Sequence, residues 1–194
     1  MLCLLLSVGA RAETTEPALS EEPLIPVNPK VRLTTTFGDI DVELYPAESP
    51  VTVSSFLQLV DEGFYDGLIF HRVIPNFMIQ VGAYDTKFTY KDGPRNLVNE
   101  SDNGLRNDRG TLSMARASHP DSASAQFFIN MKDNDHLNAQ RRRPGYTVFG
   151  RVIAGFKNAQ RIELSDTSVQ HGMPTVPVTP IQIIAAERLL AEKK

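Results

Sequence analysis

Cysteine is almost missing from this sequence: a single residue, Cys3, occurs among 194, close to the amino terminus. The rest of the chain carries no thiol, which excludes disulfides, thiolate metal sites and cysteine nucleophiles from any folded part. Long apolar runs are also missing, and none approaches the roughly 20 residues that a membrane-crossing helix needs. Nor is there a basic excess. The net charge is −3, so affinity gained by neutralising many phosphates is not expected. The four histidines, His71, His119, His136 and His171, show no metal-ligand spacing, and the chain contains no internal repeat.

What is present fits one soluble globular domain. Hydrophobic residues make up 41% and charged residues 22%, close to the globular average, and the length suffices for a sizeable core. Residues 1–12, MLCLLLSVGARA, place a short apolar stretch before Ala10-Arg11-Ala12, the small-x-small pattern of an export signal. Leu2 follows Met1 directly, so the basic start of such a signal is missing and the segment reads as a clipped leader or as a start codon placed too late, with export as the expectation and a bacterial periplasm as the destination. Residues 13–30 hold four Glu, one Lys and four Pro, too little apolar surface to offset ordering entropy, and read as a flexible spacer. The domain is expected over 31–190, with a polar tail at 191–194. From 31 onward there are 18 Lys and Arg against 19 Asp and Glu, so the acidity lies in the spacer.

The ordered region opens with a hairpin. Ile40, Val42 and Leu44 alternate with Asp39, Asp41 and Glu43, the period-2 signature of a half-buried strand. Ser49-Pro50 then starts a helix, with Val53, Phe56, Leu57 and Val60 on one face and Gly63 after its end. Short strands are predicted at Leu68–Ile74, Phe77–Val81, Gly110–Ala115, Gln126–Asn130, Tyr146–Ile153 and Ile181–Ala185, and a second helix at Gly155–Leu164. Many short strands with two helices point to a mainly-β barrel or sandwich.

The stretch Phe70-His71-Arg72-Val73-Ile74-Pro75-Asn76-Phe77-Met78-Ile79-Gln80 alternates badly for a strand pair. Arg72 and Gln80 stand among large apolar residues, and an arginine in such company needs a partner or a function. Taken one at a time, this segment and those at 110–117 and 124–130 read as core strands with ordinary turns. Together, FHRVIP-FMIQ at 70–80, GTLSMARA at 110–117, SAQFFIN at 124–130 and YTVFGRV at 146–152 resemble the cyclophilin family, in order, over nearly all of 31–190. Asn99-Glu100, the run Asn103 to Asn107 and Tyr146 look most like its exported bacterial branch.

The resemblance implies an eight-stranded antiparallel β-barrel, closed, capped by two α-helices, and carrying a substrate groove on its outer face. It implies a peptidyl-prolyl cis-trans isomerase with Arg72 as its catalytic residue. Phe77, Met78, Phe128 and Leu137 match the walls of a proline pocket. Gln80, Ala115, Arg116, Gln126, His136 and Tyr146 match further substrate-binding positions, Ala115 and Arg116 partly through their backbone. No cofactor and no metal are implied. The partners would be proline-containing unfolded or folding polypeptides, met by a monomer that engages neither nucleic acid nor membrane. His136 stands where strong cyclosporin binders carry an aromatic, often Trp, so weak cyclosporin binding is expected. Asn76 and Val81 replace the family's usual glycines, and 84–95 matches least. The competing function is a proline-peptide chaperone or scaffold with little turnover.

Other patterns have plainer readings. Asp133-x-Asp135 lacks the continuation of a calcium loop. Arg141-Arg142-Arg143 has no interleaved aromatics and reads as a solvated loop. Asp121, Ser122 and Ser124 near His119 come without the nucleophile elbow of a hydrolase.

Overall fold

The computed structural model describes residues 28–190; the leader, most of the acidic spacer and the polar tail lie outside them. The hairpin read from alternation forms as β1 (Lys30–Thr35) and β2 (Gly38–Leu44), paired from Lys30 opposite Glu43 to Thr35 opposite Gly38. Val31, Leu33, Ile40, Val42 and Leu44 are fully buried on the inner face. On the outer face Arg32 donates Nε to Asp41 Oδ1 at 2.7 Å and Nη2 to Oδ2 at 2.8 Å, and this pairing holds the Asp41 carboxyl below its ordinary range.

The remaining strands are β3 (Arg72–Ile74), β4 (Met78–Val81), β5 (Thr111–Met114), β6 (Phe127–Asn130), β7 (Val148–Ala154), β8 (Thr167–Gln170), β9 (Met173–Pro177) and β10 (Ile183–Leu189). Eight of the ten strands build one antiparallel sheet in the order β10-β1-β2-β7-β5-β6-β4-β3, and β8 and β9 pair separately. The sheet curls until its outer strands approach, but the expected closure is looser than a ladder. Ile69 and Gln182 form an isolated bridge. Phe70 N–H donates to Ile181 O at 2.9 Å and Ile183 N–H to Leu68 O at 2.9 Å. Pro180, which would face His71 in that register, lacks an N–H, so the pairing does not continue from Phe70 into β3.

Helix α1 (Pro50–Asp61) covers one end, with Val53, Phe56, Leu57 and Val60 buried as their spacing predicts. Phe56 packs against Tyr65, Phe127 and Phe149 with ring centroids 5.2–5.4 Å apart, and the buried Tyr65 hydroxyl donates to Ala125 O at 3.0 Å. Pro50 takes the first helical position, yet Ser49 does not cap the helix, because its hydroxyl donates to Val148 O at 2.8 Å. Glu100, 49 residues beyond Val51, caps instead: its carboxylate accepts from Val51 N–H at 3.0 Å and Thr52 N–H at 2.9 Å, an anion at the positive end of the helix.

Helix α2 (Phe156–Glu163) covers the other end through Ala159 and Ile162. It starts after Gly155, whose φ is +75°, and a Cβ there would lie 2.0 Å from Asp39 O. The final strand runs further than predicted, to Leu189. The hairpin β8–β9 has no counterpart among the predicted elements: β8 buries no side chain, and β9 carries Pro174 and Pro177, so neither shows alternation.

Candidate active site

Strand pairing explains why the stretch 70–80 alternated badly. Arg72 lies opposite Gln80, Ile74 opposite Met78, Met78 opposite Asn130 and Gln80 opposite Phe128. Val73, Ile79, Val81, Phe127 and Ile129 face the main core. The residues between them face out of the barrel, where Met78, Phe128 and Leu137 form a second apolar cluster with Ile74, Phe77, Ala115 and Tyr146 packed against it. These outer positions are apolar because they wall a cavity, and that is why the strands look greasy on both faces.

The cavity has a volume of about 370 Å³ and is lined by Arg72, Phe77, Met78, Gln80, Ala115, Arg116, Phe128, Leu137 and Tyr146. Nine of the eleven sequence-derived site residues therefore meet at one place. The other two lie at its margin: Gln126 accepts from Gln80 Nε2 at 3.0 Å, and His136 stacks on Phe77 with centroids 5.6 Å apart.

Arg72 lies along the cavity. Its Nη1 donates to Gln80 Oε1 at 3.3 Å and sits 3.9 Å from Met78 Sδ, and its Cζ is 5.8 Å from the Phe77 ring centroid. Among the described residues no carboxylate forms a salt bridge with it. Desolvation draws its pKa down from the ordinary arginine range, opposed by the nearby Tyr146 phenol, and a guanidinium remains charged under such a pull. Arg116, by contrast, is a brace. Its guanidinium donates to the carbonyls of Ala117, Pro144 and Gly145 at 3.0–3.2 Å and lies 4.7 Å from the Tyr146 ring centroid.

His71 is buried beside Tyr84, with ring centroids 5.1 Å apart, and desolvation brings its pKa down to about 4. It is a neutral packed side chain at neutral pH. Asn76 has φ +55°, the left-handed region that asparagine tolerates better than most residues, which accounts for a glycine position filled by Asn.

Two features were missed. The first is a network of buried amides behind the cavity. Asn107 Oδ1 accepts from Ser113 Oγ at 2.7 Å and Asn130 Nδ2 at 3.3 Å, while Asn107 Nδ2 donates to Asn138 Oδ1 at 3.1 Å and Tyr146 O at 3.3 Å. Asn134 Nδ2 donates to Phe77 O at 2.9 Å and Asn130 Oδ1 at 2.7 Å. The asparagines are scattered in sequence and resemble turn formers, so only the fold reveals them as the frame that fixes Phe77 and Tyr146. The second is a neighbouring cavity of about 400 Å³, sharing Gln80, Ala115 and Arg116 with the first and completed by Gln126 and loop residues such as Tyr90, Lys91 and Gly93. Its outer wall falls in the segment with the weakest resemblance.

The decoys separate cleanly. Ser122 Oγ donates to the His119 backbone carbonyl at 2.6 Å, and His119 Nδ1 accepts from Asp121 N–H at 3.2 Å, which is turn geometry. Asp133 accepts from Arg109 N–H at 2.8 Å, while Asp135 pairs with Arg106.

The family model described as cyclophilin type peptidyl-prolyl cis-trans isomerase/CLD matches residues 30–188. A peptidyl-prolyl cis-trans isomerase of Acinetobacter baylyi is 46% identical over 160 residues, covering 82% of this chain and 85% of that protein. One of Streptomyces antibioticus is 48% identical over 162 residues, covering 82% and 98%. Among solved structures, a Cryptosporidium parvum cyclophilin type peptidyl-prolyl cis-trans isomerase, crystallised in the presence of the dipeptide Ala-Pro, superposes with a TM-score of 0.64 at 29% identity, covering 84% of this chain and 99% of that one.

Proposed function

The chain belongs to the cyclophilin-type peptidyl-prolyl cis-trans isomerases, and from that premise we propose that Arg72 stabilises the twisted X-Pro amide while the outer apolar cluster holds the proline ring. The observation that carries this reading is a guanidinium free of carboxylates, among the described residues, on the wall of an apolar cavity.

Rotation about an X-Pro bond meets a barrier of about 18–20 kcal/mol because amide resonance is lost half-way. No covalent bond breaks, so selective stabilisation of the twisted form is all that catalysis requires. An acceleration of about 10⁵ corresponds to roughly 7 kcal/mol. As conjugation breaks, the prolyl nitrogen pyramidalises and gains a lone pair that can accept a hydrogen bond. Arg72 offers fixed donors that stay protonated, and Gln80 restrains it from one side. Phe77, Met78, Phe128 and Leu137 would keep the ring still while the preceding residue turns.

Substoichiometric protein should shorten the proline-limited phase in the refolding of a substrate protein, with many turnovers per molecule; retardation of refolding would instead indicate a holdase. Phe77→Ala should lower kcat/KM about three- to tenfold and weaken peptide binding, since it removes one wall of the slot. Unchanged peptide affinity in that variant would rule out the pocket assignment. Weak cyclosporin binding is proposed from His136, an imidazole where a larger aromatic would bury more ligand surface. His136→Trp should tighten cyclosporin about tenfold, an aromatic contribution of about 1.4 kcal/mol, as read by calorimetric titration; an unaltered dissociation constant would remove His136 as the cause.

A further inference from the structure

The run Arg141-Arg142-Arg143, solvated as its composition predicts, occupies a specific place. Gln140 and Arg143 exchange backbone hydrogen bonds of 2.9 Å, so the arginines form the tip of a tight turn. The turn leaves the cavity wall after Leu137 and returns to it at Tyr146, whose N–H donates to Leu137 O at 2.9 Å. Arg143 Nη2 donates to His136 O at 2.8 Å, tying the turn to the residue stacked on Phe77. Beside it runs an open groove of about 530 Å³, whose far wall carries Asn99, Asp102 and Asp121.

The local charge balance is positive. Among the described residues, Arg72, Arg116, Arg141, Arg142 and Arg143 form no salt bridge. The neighbouring acids offset only part of this: Asp135 is paired with Arg106, while Asp121 and Asp133, which accept from the backbone N–H groups of Asn99 and Arg109, and Asp102 keep their negative charge, three against five arginines. Arg143 is three residues from Tyr146, at most about 11 Å of chain, a span that an extended substrate covers in about three residues.

We propose that the Arg141–Arg142 turn selects client segments bearing acidic side chains about three to five residues from the proline seated in the pocket. The inference rests on the pocket reading above and adds the substrate class. Guanidinium groups match carboxylates in geometry. Both partners remain wet, so the preference is modest and sensitive to salt.

The test uses the full chain and pairs of proline peptides that differ only in Glu or Gln at positions three to five before or after the proline. At about 20 mM salt the Glu peptide of one series should show kcat/KM about two- to fivefold higher per acidic residue. That ratio should fall towards one in about 0.5 M salt and in R141Q/R142Q. Arg143 is retained because it holds His136. Each ratio is internal to one variant, so a general loss of activity does not distort it. A wild-type ratio of one in both series overturns the proposal, as does a ratio that persists in the double variant or in high salt. If the Gln peptides are isomerised no faster by wild type than by Arg72→Ala, the pocket reading fails, and the substrate preference built on it fails too.

Discussion

Arg72→Ala is expected to lower kcat/KM for X-Pro isomerisation about ten- to a hundredfold while leaving the fold intact. A hydrogen bond from a charged donor contributes about 1.5–3 kcal/mol, and about 1.36 kcal/mol corresponds to a factor of ten. On the proposed mechanism the interaction is made chiefly with the twisted amide, so kcat should fall more than KM rises. Stability should change by less than about 0.5 kcal/mol, since Arg72 is exposed and its recorded side-chain contacts are to Gln80, Met78 and Phe77. Arg72→Lys should restore only part of the activity, because an ammonium lacks the planar fork. Protease-free refolding assays at several enzyme concentrations, with urea melts of the same preparations, measure both quantities. Normal catalysis by a folded Arg72→Ala protein would remove this residue from the mechanism.

Asn107→Leu acts through the frame and not through the substrate. Asn107 is buried and serves Ser113, Asn130, Asn138 and Tyr146 at once. The apolar replacement strands the Ser113 hydroxyl and the Tyr146 carbonyl, at about 1–3 kcal/mol for each buried group left unpaired. A loss of about 2–4 kcal/mol is expected. In a domain of this size that corresponds to a fall in Tm of about 5–15 °C. Because Tyr146 walls the cavity, KM should rise even well below the melting temperature. Asn107→Asp keeps the acceptor for Ser113 but sets a second carboxylate oxygen against Asn138 Oδ1 and Tyr146 O, so it too should lose stability, more when the carboxylate is ionised than when it is protonated. If both variants melt like the wild type, the amide network is not what holds the wall in place.

Period-2 alternation made β1 and β2 readable, and the Val53–Phe56–Leu57–Val60 stripe made α1 readable, because in both cases one face meets core and the other meets water. The same logic hid the nature of β3, β4 and β6. Their outer positions contact a cavity and not bulk solvent, so Met78 and Phe128 broke the pattern that solvent would have imposed. Motif resemblance, and not periodicity, identified Arg72 and its neighbours. Two further features leave no trace in either periodicity or motif. Glu100 reaches the start of α1 only through tertiary structure, and Asn107, Asn130 and Asn134 become a network only when three separate segments meet. The seam between residues 67–70 and 181–183 was equally hidden, since hydrogen bonds between backbone groups leave little trace in side-chain pattern.

The two apolar clusters occupy opposite faces of the same strands. Neighbours along β4 and β6 thus alternate between packing the core and walling the outer cavity. Side chains in separate compartments with no shared partners should combine almost independently when altered. A lineage can therefore reshape the grip one outward residue at a time, at small risk to the inward-facing set on which folding depends. Such a division makes one scaffold serviceable for many differently flanked prolines.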